Sequence, residues 1–304
     1  MRGVRVATAL VLLSLVPAPA LAAAAKPSSG EILLRAAGCV TCHTDTDNKG
    51  AMLAGGRALR TNFGTFYTPN ITPDARTGIG NWRLEDFRRA LREGVSPGGE
   101  HYYPAFPYTS YTRLSDKDIV LMWNYLRTVK PVFAEDRPHE LKWYVRMRRL
   151  IAAWKWVFFS QGTFTPDVKY SISWNRGAYL VEAVAHCGEC HTPRNLAGAL
   201  KRDRRFAGTR QGPDGAIVPN ITPDRRTGIG RWSRRDVADY LASGAKPDGD
   251  YAGDIMAEFI DSGLTYLSAS DRTAIAEYVQ SLLPVENAVG KSNKSRKQKG
   301  DFEF

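Results

Sequence analysis

Residues 68–82 read TPNITPDARTGIGNW, and 150 positions later residues 218–232 read VPNITPDRRTGIGRW. Near-identity over so long a stretch, at about half the chain length, marks an internal duplication. The same register pairs Gly94 with Gly244 and Pro97 with Pro247. A chain of 304 residues therefore divides into two units of ordinary domain size. Outward from the repeat, the two halves carry matching helical signals. Residues 32–38 (ILLRAAG) and 175–186 (NRGAYLVEAVAH) are apolar-faced and run into cysteines. Residues 83–94 and 233–244 have helical spacing and stop at Gly94 and Gly244. Residues 114–129 and 268–283 begin at Ser115 and Ser270 as N-caps and end before Pro131 and Pro284. No sustained alternation of period two is present, so the expected class is all-α. The expected organisation is one domain over 28–130, a connector over 131–170 and a second domain over 171–285.

All four cysteines fall in two motifs, Cys39-Val40-Thr41-Cys42-His43 and Cys187-Gly188-Glu189-Cys190-His191. C-x-x-C-H is the attachment signature of c-type haem: the two thiols take the vinyl groups of one porphyrin edge and the next residue turns beneath the ring to offer an imidazole to iron. A four-cysteine zinc site would leave both histidines without a role and would merge the repeats. Paired disulfide loops would leave the histidines equally unexplained. The motifs thus predict two covalently bound haem c groups, held by Cys39 and Cys42 with His43, and by Cys187 and Cys190 with His191. In this reading each porphyrin also completes a core that short helices could not fill alone.

An iron that only shuttles electrons needs a second axial ligand, and a thioether raises its potential. Met256, in DYAGDIMAEF, is the single methionine after the second motif and is expected in the loop between the middle and last helices. At the equivalent repeat position the first half has Phe106, in HYYPAFPYTSY (101–111), which cannot bind iron. His101 in the same loop is the first candidate for the missing ligand. An open or water-bound iron is the alternative, and Met52 or Met122 a further one. His186 and His139 read as structural.

The chain opens with Arg2 and Arg5, an apolar run over Ala7 to Val16, and Ala20-Leu21-Ala22, the three parts of a cleaved export signal over 1–22. Export in a bacterium places the protein in the periplasm and argues against nucleic acid as a partner. The formal net charge is +11. Part of it lies in a basic, aperiodic tail over 286–304, expected to be disordered, and the rest favours acidic protein surfaces. Peripheral contact with a membrane is compatible with that charge. No transmembrane helix is expected: residues 150–159 (LIAAWKWVFF) are too few and include Lys155. The connector is rich in aromatics and arginines rather than glycine, so it is expected to pack on both domains. Burial of Trp143, Trp154 and Trp156 within the chain is favoured over contact with a partner protein.

Taken together, the cysteine motifs, the duplicated PNITPD-x-x-TGIG-x-W, YPA-x-PYTSYT and WNRGAYLVEAVAHCGECHTPRN resemble the cytochrome c subunits of periplasmic alcohol, aldehyde and gluconate dehydrogenases. They are also similar to cytochrome subunits paired with molybdenum hydroxylases such as nicotinate dehydrogenase. The resemblance spans about residues 28–285. It implies two tandem class I cytochrome c-like domains, with Asn70, Trp82, Asn220 and Trp232 helping to line the haem pockets. From the residues alone, a capping or core role suits those four as well. The alcohol dehydrogenase branch usually carries three haem domains and a methionine in the YPA-x-PY position, and this chain departs from both.

The function expected is electron transfer without substrate chemistry. A periplasmic dehydrogenase subunit would be the donor, and the quinone pool, an oxidase or another cytochrome the acceptor. The alternative is a dihaem redox enzyme, a peroxidase or thiosulfate-type oxidase, working at an open or weakly ligated first haem. Phe106 motivates that alternative; the lack of a spare cysteine weakens its thiosulfate version.

Overall fold

The computed structural model describes residues 27–290. The export signal expected over 1–22 and the tail beyond residue 290 lie outside the described residues. In the N-terminal half, α1 (Ser29–Ala36) leads into α2 (Cys39–Cys42). Two short strands follow, β1 (Ala58–Thr61) and β2 (Gly64–Tyr67), then α3 (Leu84–Glu93), α4 (Tyr108–Tyr111) and α5 (Asp116–Leu126). The connector supplies β3 (Glu140–Leu141) and α6 (Arg149–Phe158). In the C-terminal half, α7 (Ile172–Tyr179) continues through a π-helical turn over Leu180–Val184 to α8 (Cys187–His191). Then come α9 (Arg234–Ser243), α10 (Asp254–Ser262) and α11 (Ala269–Gln280).

The strands overturn the all-α class expected from the sequence: the fold is mixed, mainly helical with one three-stranded antiparallel sheet in the order β1-β2-β3. Ala58 faces Tyr67 and Thr61 faces Gly64 across the hairpin, and Gly64 faces Leu141 in β3. The physical reason is length. Four-residue strands joined by Asn62-Phe63, and a third strand of two residues, hold too few alternations to show period two. The hairpin is fixed locally instead, by Thr61 Oγ1 donating to the Gly64 carbonyl at 2.9 Å and accepting from the Phe63 N–H at 3.1 Å.

The first and last helices of each half cross closely, and glycine permits it. A Cβ on Gly30 of α1 would stand 2.2 Å from the Leu121 carbonyl oxygen of α5, and one on Gly177 of α7 would stand 1.9 Å from that of Ala274 in α11. Caps agree with the sequence in α5, where the Asp118 N–H donates to Ser115 Oγ at 3.1 Å. In α11 the cap is Ser268 rather than Ser270: the Asp271 N–H donates to Ser268 Oγ at 3.0 Å, and Ser270 bonds the same hydroxyl. Starting two residues earlier lengthens the helix by about half a turn for the same capping bond.

One apolar cluster runs through both halves, joining Leu34, Ala37, Tyr111 and Met122 to Tyr179, Val184, Ala185 and Ile260. A smaller one, Phe66, Tyr103, Leu141 and Ile151, seats the connector on the sheet. The connector touches both halves: Lys155 Nζ donates to the carbonyls of Glu93 and Gly94, and Trp154 Nε1 to that of Ala197 at 2.8 Å. Trp143 and Trp156 do not follow the expectation of burial; they are 76% and 88% exposed. Among the described residues no helix is long and apolar enough to cross a membrane.

Candidate functional site

Each C-x-x-C-H motif is a single helical turn that starts from a left-handed residue. Gly38 precedes Cys39 at φ 71°, and His186 precedes Cys187 at φ 38°. A left-handed start turns the chain sharply after α1 and after the π turn. Glycine adopts this conformation freely, whereas histidine needs support. His186 has it: Nε2 donates to the Ala37 carbonyl at 3.2 Å, and its ring meets Tyr111 edge-on at 5.3 Å.

The four cysteine sulfurs form no disulfide. Burial pushes the thiols of Cys39, Cys187 and Cys190 up to about 12 and raises that of Cys42, so none is poised as a thiolate. Among the described residues no group of three or more His, Cys, Asp or Glu side chains is arranged to hold a metal ion by itself. The arrangement does not suit zinc, which takes thiolates in a tetrahedral cluster.

The histidines are set for a different task. His43 Nδ1 donates to the Pro69 carbonyl at 2.8 Å, and His191 Nδ1 donates to the Pro219 carbonyl at the same distance. Burial lowers both imidazoles below the ordinary histidine value and keeps them neutral. A neutral ring with Nδ1–H bound to a carbonyl presents the Nε2 lone pair, the donor an axial iron site needs. Two thiols on one turn with such a nitrogen directly after them fit a covalent haem, twice over.

The repeated loop builds that carbonyl. Asn70 is buried; its amide donates to Thr77 Oγ1 and to the Val132 and Ala134 carbonyls, and its oxygen accepts from the N–H and hydroxyl of Thr72. Asn220 repeats the pattern with Thr227, Val285 and Thr222. The polar atoms of both asparagines therefore tie the loop carrying Pro69 or Pro219 to the segment after α5 or α11. Trp82 and Trp232 are half-buried where the chain enters α3 and α9, and Trp232 packs edge-on against Tyr240 at 5.4 Å. Removing the Asn220 side chain strips these bonds from a buried loop. Asn220→Ala should cost about 2–4 kcal/mol in a urea melt, against under about 0.5 kcal/mol for an exposed control such as Arg235→Ala.

Met256 lies in the first turn of α10, half-buried against the common core, and not in the loop expected from the sequence. The two halves stay in register up to this point. Val95 bridges His101 as Ala245 bridges Tyr251, and the Tyr102 N–H bonds the Gly94 carbonyl as the Ala252 N–H bonds that of Gly244. Four residues on stand Phe106 and Met256. Phe106 sits among Tyr102, Tyr108 and Tyr111, at ring distances of 5.5, 6.3 and 5.6 Å. Tyr108 Oη beside it is buried without a hydrogen-bond partner. His101 turns towards the connector: Nδ1 accepts from Lys155 Nζ at 3.0 Å, and burial together with the Lys155 charge lowers its pKa. His139 accepts from the Tyr67 N–H at 3.2 Å and packs beside Phe66, a structural place.

Sequence reasoning missed how the halves interlock at the motifs. Glu189, inside the second motif, accepts from Thr109 and Ser110 of α4 at 2.6 and 3.0 Å and from Arg194 at 2.6 Å. In the other direction, Thr41 inside the first motif bonds Ser262 of α10 at 2.6 Å, and Arg57 holds Glu258 of α10 while donating to the Thr41 carbonyl at 2.8 Å. Each C-x-x-C-H turn is thus gripped by the segment that carries Met256 or Phe106 in the other half. The Ala37 carbonyl at the junction accepts from both His186 and the Tyr111 hydroxyl. A double-mutant cycle of Arg57→Met and Glu258→Gln should show a coupling of about 1–3 kcal/mol in urea unfolding, because either single change strands a half-buried charge or its partner. The sequence signal was an acidic residue in the variable pair of a C-x-x-C, with nothing to name its partner.

The family model for cytochrome c matches residues 28–130. The chain is 40% identical over 269 residues to a diheme cytochrome c-type protein of Cereibacter sphaeroides, covering 85% of this chain and 86% of that one. It is 41% identical to the fructose dehydrogenase cytochrome subunit of Gluconobacter japonicus, over 88% of this chain and 54% of the relative. With the gluconate 2-dehydrogenase cytochrome c subunit of Pantoea cypripedii the identity is 39%, over 83% and 58%. The chain thus spans somewhat more than half the length of these two dehydrogenase subunits. With paired thiols and a neutral, carbonyl-anchored histidine at each motif, these likenesses place the chain in the cytochrome c family, electron-transfer proteins that carry covalently bound haem c.

Proposed function

We propose that the protein is a periplasmic cytochrome with two haem c groups that takes electrons from a partner dehydrogenase and delivers them towards the respiratory chain. Cys39 and Cys42 would hold one group and Cys187 and Cys190 the other, with His43 and His191 as iron ligands and Met256 as a further iron ligand in the C-terminal half. When bound, haem c supplies a one-electron iron couple, and the chain's own residues set its environment. Pro69 and Pro219 fix the tautomer and direction of the two histidines, and the Asn70 and Asn220 networks fix those prolines. The observation that carries this reading is the histidine-to-proline bond, made identically at both motifs.

In the N-terminal half, Phe106 stands at the repeat position of Met256, and His101 is engaged by Lys155. The counterpart of His101 is Tyr251, 64% exposed on its turn. These facts support a first iron with no protein ligand on its distal side. Interlocked attachment turns suit passage of an electron between two close centres and argue for transfer rather than peroxidase chemistry.

The test is the protein matured in a host that assembles c-type cytochromes. Intact-mass analysis should show two covalent tetrapyrroles per chain, and a periplasmic quinone- or flavin-dependent dehydrogenase should reduce both. A single haem, or steady peroxide consumption by the fully loaded protein, would overturn the proposal.

A further inference from the structure

The connector holds a surface that the electron-transfer reading does not use. From residue 142 to residue 166 the chain has five cations, Lys142, Arg146, Arg148, Arg149 and Lys155, and neither aspartate nor glutamate. Within it, α6 is apolar on two sides. Ile151, Trp154 and Phe158 turn inward: Ile151 is buried with the sheet cluster, Trp154 bonds the Ala197 carbonyl, and Lys155 beside them is tied to Glu93, Gly94 and His101. Trp156, on the opposite side, is 88% exposed; Leu150 and Val157, flanking the inward side, are 52% and 57% exposed, and Met147, just before the helix, is 48% exposed. Trp143 and Tyr144, in the turn before the helix, are 76% and 41% exposed. A soluble helix normally shows one apolar stripe, so the outer one calls for a cover.

We propose that this outer face, Trp143 to Val157, seats the protein on an anionic phospholipid surface. The chemistry of the rim selects lipid as the occupant. Lys142, Arg146 and Arg149 are exposed around the apolar side chains, while Arg148 leans on Tyr103 and Glu100. Amphipathic tryptophan and tyrosine at the headgroup level, an aliphatic stripe below them and cations above make up an interfacial helix. A 10-residue helix of this kind lies in the plane of the interface and cannot span it. The inner stripe holds the rest of the molecule against the helix, so docking needs no unfolding. The reading stands apart from the haem assignments.

Flotation of the full-length, haem-loaded protein with vesicles tests it, using phosphatidylcholine alone and phosphatidylcholine with about one third phosphatidylglycerol. The anionic vesicles should carry the protein, the neutral ones about tenfold less, and raising salt from about 0.1 M to about 0.5 M should release most of it. Trp143→Ala/Leu150→Ala/Trp156→Ala should weaken binding to the anionic vesicles by about tenfold or more. All three sites are exposed, so visible absorbance and helical circular dichroism should be unchanged. Ile172→Ala/Leu196→Ala, at exposed sites away from α6, should bind as the parent does. Equal binding of the triple variant and the parent would overturn the proposal by assigning attachment to another part of the chain. Equal binding to neutral vesicles would overturn the anionic requirement. Failure of the parent to float at all would assign the face to a protein partner.

Discussion

Replacing Cys187 and Cys190 together by alanine should leave a chain with one covalent haem and a loosened N-terminal half as well as a loosened C-terminal one. The first part is stoichiometry: haem absorbance per chain should fall by about half, with one tetrapyrrole remaining in the intact mass. The second follows from the way the halves are joined. A single apolar cluster contains α1 and α5 residues of one half and α7 and α11 residues of the other. Glu189, between the two replaced cysteines, is held by Thr109 and Ser110 of α4, and His186 just before them holds the Ala37 carbonyl beside the first motif. On the proposed assignment, a C-x-x-C-H turn without its porphyrin would lack the flat surface against which it packs, and these bonds would carry the disorder across. Loss of a bound cofactor belongs among the large destabilisations, about 4 kcal/mol or more, or about 10 °C in melting temperature for a chain of this size. Cys39→Ala/Cys42→Ala should do the same through Thr41, Ser262 and Arg57. A variant that keeps the full absorbance would remove the motif from haem attachment. One that melts in two independent steps, the untouched half as in the parent, would show the halves to be separate.

What could be read from the residues, and what could not, divides along physical lines. The long amphipathic helices were legible because period 3.6, a capping serine and a terminal glycine agree locally, as in α9 with its Ser233–Asp236 box and Gly244. Cysteine and histidine spacing marked out the two C-x-x-C-H turns because that chemistry is encoded in side-chain identity. The sheet was illegible because its strands are shorter than the pattern that announces a strand, and β3 pairs with residues more than seventy positions away. The sequence places Met256 in a loop because Gly253, which opens α10, has no side chain to cap it and leaves no start signal. The decisive contacts of the two histidines go to backbone carbonyls, and a proline carbonyl has no signature beyond the repeat that contains it. The left-handed start that Gly38 makes legible in the first half is hidden in the second under His186. Trp143 and Trp156 broke the rule that aromatics bury within their own chain, and that rule gives way where a helix is apolar on two sides.

Phe106→Met should turn one high-spin iron into a low-spin one and raise its potential by on the order of 0.1 V. The two halves share a register here. The turn from Val95 to His101 and the turn from Ala245 to Tyr251 close with the same bonds, so the two segments leave matching turns before Phe106 precedes α4 and Met256 enters α10. The other methionines in the described residues are poor substitutes. Met122 is fully buried in α5, Met147 lies on the outer face of the connector, and Met52 is 37% exposed beside Arg35. His101 would have to leave Lys155, whose ammonium would then lose the one neutral side-chain acceptor it has there. Paramagnetic resonance and magnetic circular dichroism on holoprotein should therefore show one high-spin and one low-spin iron. His101→Ala should leave that pattern unchanged, Met256→Ala should make both high-spin, and Phe106→Met should make both low-spin. The parent should also bind cyanide or carbon monoxide at one iron only, and Phe106→Met should weaken that binding steeply because the thioether competes for the same position. Tyr108, whose buried hydroxyl lacks a partner next to Phe106, gives a second handle. Tyr108→Phe should preserve the fold and, if that hydroxyl donates to the bound anion, weaken cyanide by about 3- to 30-fold, the worth of one hydrogen bond. A low-spin first iron in the parent that becomes high-spin in His101→Ala would reverse the assignment and make the first centre bis-histidine, the lower-potential partner of a His/Met second.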